Sequence, residues 1–232
     1  MSEKTPGISF QNRMDNIVED YRELGNLAIE LNGDVVKLLE NYDESVHKSI
    51  STGSNTLDIK TINLERVCIR FMATEQPLAK DLLFIESMLR VISHIKRVGH
   101  LCAKIADSIR NIHEVPIPEK ILNQMALMGE YIGIMLKKSF SVFLNHDLDK
   151  ARELDRDDDK IDELYDSILN EVTSTMINDA EFAPYIIDTI FLARYMERIA
   201  DKAVSIGSRT IFMITLKRPG IDEWGNSNKY LY

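Results

Sequence analysis

Apolar residues at Met14, Ile17, Tyr21, Leu24, Ala28, Leu31, Val35, Leu38 and Tyr42 follow one another in steps of three and four. That spacing draws one apolar stripe down a helix, and a stripe sustained this far requires neighbours that lie almost parallel to it. The same rhythm returns at Leu82, Ile85, Leu89, Ile92, Ile95, Val98, Leu101, Cys102, Ile105 and Ile109. With only 10 Gly and 6 Pro among 232 residues, there is little material for turns. The chain is therefore expected to be all-α, built from a few long antiparallel helices.

Breakers divide the pattern into six. The cluster Ser51-Thr52-Gly53-Ser54-Asn55 predicts the end of the first helix, and a second runs from Thr56 to Glu75, closed by Pro77. A third extends from Leu78 to His113, before the stiff segment Val115-Pro116-Ile117-Pro118. A fourth covers Glu119–Leu144, a fifth Asp149–Ile177, and a sixth starts at Pro184 and reaches Leu216. Residues 1–13 and 217–232 read as flexible termini.

The two halves superpose in sequence. Gly25 and Gly129, Asn41 and Asn145, and Asp43 and Asp147 each stand 104 positions apart; Arg97 and Arg198, and Val98 and Ile199, stand 101 apart. A duplicated three-helix unit is the reading: two tandem, pseudo-symmetric bundles over 14–114 and 119–216.

Charge and cysteine content narrow the function classes. A net charge of -9 repels nucleic-acid backbones and anionic membrane surfaces. Cys68 and Cys102 form no metal or redox spacing and suit a reducing compartment. No apolar run approaches the roughly 20 residues that span a bilayer, so the chain reads as cytoplasmic, with any membrane link made through a partner. No phosphate-binding glycine loop or nucleophile elbow is present, and a non-enzymatic role is expected.

Two pairs of carboxylates carry the sharpest chemical signal. Asp158 and Asp162 are four apart on the fifth helix, and Glu197 and Asp201 are four apart on the sixth, each pair bordering an apolar stripe. Packed together, the four acids would repel one another unless a cation or neighbouring bases compensate. All-oxygen ligands suit Mg, Mn, Ca or ferric iron. Ion pairs to Lys160, Arg194 or Arg198 on a solvated acidic face are the other reading, and the sequence leaves both open. Glu44-x-x-His47 has di-iron spacing, but its counterparts Leu148 and Ala151 cannot complete such a site, so both read as surface residues at a helix end.

Arg194-Tyr195-Met196-Glu197-Arg198-Ile199-Ala200-Asp201 resembles the "ARxxERIGD" signature of the PhoU family, with Ala200 at the glycine. Asp158-Asp159-Lys160-Ile161-Asp162 resembles its partner segment. Val67-Cys68-Ile69-Arg70 and Gln76-Pro77-Leu78-Ala79-Lys80-Asp81-Leu82 resemble the "CIRLIALQQPVASDLR" stretch of the first half. The resemblance implies two three-helix bundles, metal clusters of iron or zinc, and negative regulation of phosphate uptake. The implied partners are a phosphate transporter ATPase and a sensor histidine kinase, and a homodimer is compatible with it. An accessory protein of a phosphate/cation symporter and a carboxylate-bridged metal enzyme are the alternative functions. The family pattern would place acids at Ser54, Lys96 and His100, leaving Asp58 alone. An ammonium at Lys96 would repel a metal and neutralise Asp58 directly. The expected metal site is therefore Asp158, Asp162, Glu197 and Asp201, with Asp58 and His100 as a degenerate remnant.

Overall fold

The computed structural model describes residues 8–114, 117–178 and 185–217. Six helices follow in order: α1 Ile8–Glu40, α2 Glu44–Glu75, α3 Lys80–Ile112, α4 Glu119–Asn145, α5 Leu148–Asn178 and α6 Ile186–Thr215. No strand occurs among the described residues.

The first connection corrects the expected boundary. Helix α1 stops at Glu40, and Ser51–Asn55 lies inside α2. Asp43 ends the break: its carboxylate accepts from the backbone N–H of Ser45 at 2.7 Å, capping the orphan donors of α2. Asp147 repeats the device by accepting from the backbone N–H of Lys150 at 3.1 Å. The small residues of α2 have a different role. A Cβ on Gly53 would lie 2.6 Å from Leu31 Cδ2, and Ser54 is buried, so this stretch lets α2 approach α1 closely. Residues 8–13 also depart from expectation. They belong to α1, and Phe10 packs on Phe71 with ring centroids 5.0 Å apart. Residues 1–7, 115–116, 179–184 (with Pro184) and 218–232 lie outside the described residues.

Within each half the helices pack in sequence, and α1 also lies along α4 while α3 lies along α6. Both cross-contacts are antiparallel. Tyr21 meets Phe140 and Phe143, and Asn32 Nδ2 donates to the Gly129 carbonyl at 2.9 Å. Arg209 Nε donates to Ser87 Oγ, and Lys104 lies over the Tyr195 ring. The repeat-related glycines both serve the α1–α4 contact: a Cβ on Gly25 would press on Phe140, and one on Gly129 on Val36. One apolar core therefore runs through both three-helix units. Met88, Met125, Met128 and Met135 are buried in it.

Close approach of α5 to α6 depends on Gly207. A Cβ there would lie 3.0 Å from the backbone oxygen of Ala151 and 2.8 Å from Leu154 Cδ1. Backbone yields less than a side-chain tip. Gly207→Ala is expected to destabilise the fold by about 1–3 kcal/mol despite alanine's better helix propensity. Gly33 is the control, because a Cβ there would meet nothing within 4 Å. Gly33→Ala should stabilise by up to about 1 kcal/mol, since only propensity changes there. Urea unfolding of both variants checks the contrast, and equal effects would refute it.

Candidate metal centre

The fifth and sixth helices bury Ile161, Ile168 and Val172 against Ile199, Ala200 and Ala203. Small residues on α6 bring the two backbones close, and the acids at the edges of the two stripes come within electrostatic reach. Asp158 is pushed up to about 7, first by burial and then by Asp162, Asp201 and Glu197. Glu197 is raised by burial and by Asp201, against the pull of Arg194. Asp162, Asp201 and Glu197 thus all act on Asp158, so the four carboxylates singled out by their spacing lie in one neighbourhood of α5 and α6.

Of the three bases positioned in sequence to neutralise them, Arg194 alone forms an ion pair with a described residue. Its Nη1 donates to Glu197 Oε1 at 2.6 Å, from a side chain half exposed to solvent. Lys160 instead lies over the Tyr131 ring, 5.8 Å from its centroid. Arg198 makes no ion pair with a described residue but still lowers the pKa of Glu197. Glu197 Oε2 remains buried without a hydrogen-bond partner. An orphaned carboxylate oxygen beside an aspartate raised to about 7 offers oxygen donors of the type that hard cations take. The donors fit such an ion in type. Their spacing does not complete a site: among the described residues no three acidic, His or Cys side chains lie close enough together to hold an ion.

The quasi-equivalent place in the first half is filled differently. Ser54, Asp58, Lys96 and His100 occupy the positions related by the repeat to Asp158, Asp162, Glu197 and Asp201. Lys96 Nζ lies 3.3 Å and His100 Nε2 2.9 Å from Asp58 Oδ1. Burial pushes Asp58 upward, but His100 and then Lys96 outweigh it and hold the carboxyl below its ordinary value. The Lys96 ammonium thus pairs with Asp58 from within the protein. Asp58 and His100 do come together, in an ion-pair cluster with Lys96.

One further expectation changes. His47 is a buried residue, 5% exposed, with Nε2 3.0 Å from Asp107 Oδ1 of α3. Glu44 is the exposed member of that pair and accepts from the Tyr42 hydroxyl. Cys68 and Cys102 are packed thiols that burial raises to about 12, too high for thiolate chemistry. The sequence pattern did not reveal Lys138 of α4, which binds Glu153 and Asp157 of α5 at 2.7 and 2.8 Å. Glu153 and Asp157 stand four apart on one helix, but their partner comes from another helix, which spacing along one helix does not show.

The geometry defines a class: a duplicated six-helix bundle with an acidic basin in one half and an internal ion pair at the matching place in the other. A family model described as "PhoU domain" matches residues 21–109 and again 125–210, once in each half. The chain belongs to the PhoU family. The "Phosphate-specific transport system accessory protein PhoU homolog 1" of Methanothermobacter thermautotrophicus is 39% identical over 219 residues, covering 94% of this chain and 100% of that protein. The Escherichia coli "Phosphate-specific transport system accessory protein PhoU" is 24% identical over 198 residues, covering 85% and 81%. The crystal structure of PhoU from Pseudomonas aeruginosa superposes with a TM-score of 0.84 at 22% identity, covering 90% of this chain and all of that one. That of the Streptococcus pneumoniae regulatory protein gives 0.82 at 23%, with 90% and 98% covered. At those identities the superpositions establish the fold.

Proposed function

We propose that this chain is a PhoU-type accessory regulator of phosphate uptake, a helical adaptor that holds a cation in its second half. The supporting observation is the relation, over nearly its full length, to the Methanothermobacter phosphate-specific transport accessory protein. Its targets in this reading are the ATPase of a phosphate transporter, a sensor histidine kinase, or both. The cation is iron or zinc by family resemblance, and Mg, Mn or Ca by the all-oxygen ligands. Asp158, Asp162, Glu197 and Asp201 hold it, and Asp158 and Glu197 supply the donors least satisfied within the protein. No described helix is long and apolar enough to cross a membrane, so contact with a transporter would fall on its non-membrane parts. The adaptor role needs no catalytic group, and none is assigned.

Deletion in the source organism tests the reading. Phosphate uptake and phosphate-responsive transcription are expected to stay high in phosphate-replete medium, and the wild-type gene should restore repression. Affinity capture of the full chain should recover a transporter ATPase or kinase component. Unchanged phosphate responses, with neither component recovered, would overturn it.

A further inference from the structure

Basic residues that form no ion pair with a described residue gather along the α3–α6 contact. The pairs Ser87–Arg209 and Lys104–Tyr195 fix its antiparallel register and bring Lys202 opposite His94. Arg97 lies one turn from His94 on α3, and Arg198 one turn from Lys202 on α6. Arg97 and Arg198 are also a repeat-related pair, so they flank the pseudo-dyad between the halves. Arg97, Lys104 and Arg198 are exposed, and Lys202 and His94 half-buried.

None of these five residues forms an ion pair with a described residue. Lys104 lies over an aromatic face instead, 5.6 Å from the centre of the Tyr195 ring. His94 Nδ1 is buried without a hydrogen-bond partner. Burial, then Lys202 and Arg97, lower His94 to about 4, so its ring is neutral near pH 7. Four fixed positive charges remain in one seam of a protein whose net charge is -9. Such a cluster repels itself, and the described chain answers it only with the Tyr195 ring under Lys104 and the field of Glu197 at Arg198, not with an ion pair.

We propose that this seam is an oxyanion site that takes a multiply charged tetrahedral anion of the phosphate class. Two guanidinium forks suit the paired oxygens of such an ion, and Lys202 adds a point charge. The neutral His94 ring contributes a further hydrogen-bonding nitrogen. A monovalent anion would leave most of the positive charge unanswered. The site is argued from the basic seam, and Arg97 and His94 on α3 set it apart from the acids of α5 and α6.

Calorimetric titration of the full chain, freed of divalent ions by chelator and held at constant ionic strength with chloride, tests it with inorganic phosphate as probe. Wild type is expected to bind phosphate saturably. Arg97→Gln with Lys202→Gln should weaken binding by about tenfold or more, the usual loss for a charge-assisted contact. Arg66→Gln with Arg70→Gln removes the same charge from the exposed face of α2 and should leave affinity within about twofold. Arg198→Gln alone, at an exposed position, is the second probe and decides the test if the Arg97/Lys202 variant loses helix content. No saturable binding in wild type, or equal weakening in both double variants, overturns the proposal. So would unchanged affinity in Arg198→Gln.

Discussion

Divalent cation added to chelator-treated protein is expected to raise the melting temperature of the wild type and to leave Asp158→Ala with Glu197→Ala unmoved. The reason is linkage: an ion that binds the folded basin and not the unfolded chain stabilises by about 2.7 kcal/mol at a hundredfold excess over its dissociation constant. At roughly 2–4 °C per kcal/mol for a chain of this size, the rise should be about 5–10 °C. The double alanine variant loses the carboxyl that burial and its neighbours raise to about 7 and the one whose Oε2 has no hydrogen-bond partner. Asp58→Asn is the informative comparison. Asp58 is already paired with Lys96 and His100, so its loss should lower the metal-free melting point slightly and keep the cation-induced rise. Differential scanning calorimetry with Mn2+, Zn2+ and Ca2+ in turn gives the readout. A rise that survives in the Asp158/Glu197 variant and disappears in Asp58→Asn would move the site to the first half and sink the assignment.

Helices were the legible part of this sequence, because a stripe repeating at 3.6 residues has only one regular interpretation. The duplication was legible too, and the turn it implies after α1 is the one that the reading from breaker residues misplaced. Asn41 and Asp43 match Asn145 and Asp147, which flank the unmistakable turn between α4 and α5. Ser51–Asn55 misled because small polar residues serve both turns and close helix contacts, and only Leu31 on the facing helix distinguishes the two uses. The acidic basin could be read because each pair lies four apart on one helix. The basic seam could not, since its charges come from two helices whose register only the folded structure supplies. His47 illustrates the same limit: its partner Asp107 stands sixty positions away on α3.

Asp158→Asn is expected to make the metal-free protein more stable than wild type at pH 8 and no different near pH 4. An aspartate held at about 7 in the folded state and near its ordinary 3.8 when unfolded keeps its proton longer in the folded protein. The folded state therefore binds more protons between those values, and stability must fall as pH rises through that window. Above it, the full penalty of a charged Asp158 beside Asp162, Asp201 and Glu197 persists. The asparagine variant never carries that charge. Because Asp158 remains partly open to solvent, the difference at pH 8 should be discounted to about 1–2 kcal/mol. Asp43 and Asp147, lowered by their helix-capping hydrogen bonds, act in the opposite sense at more acid pH, but they are common to both proteins and cancel in the comparison. Saturating divalent cation should then reverse the order at pH 8, since it compensates four carboxylates in wild type and gains less from three. Urea titrations at pH 4, 6 and 8, with and without the ion, measure all three effects. A wild-type stability that climbs relative to the variant between pH 4 and 7 in the absence of metal would show that Asp158 is already compensated by the protein itself, and the basin would then have no need of a cation.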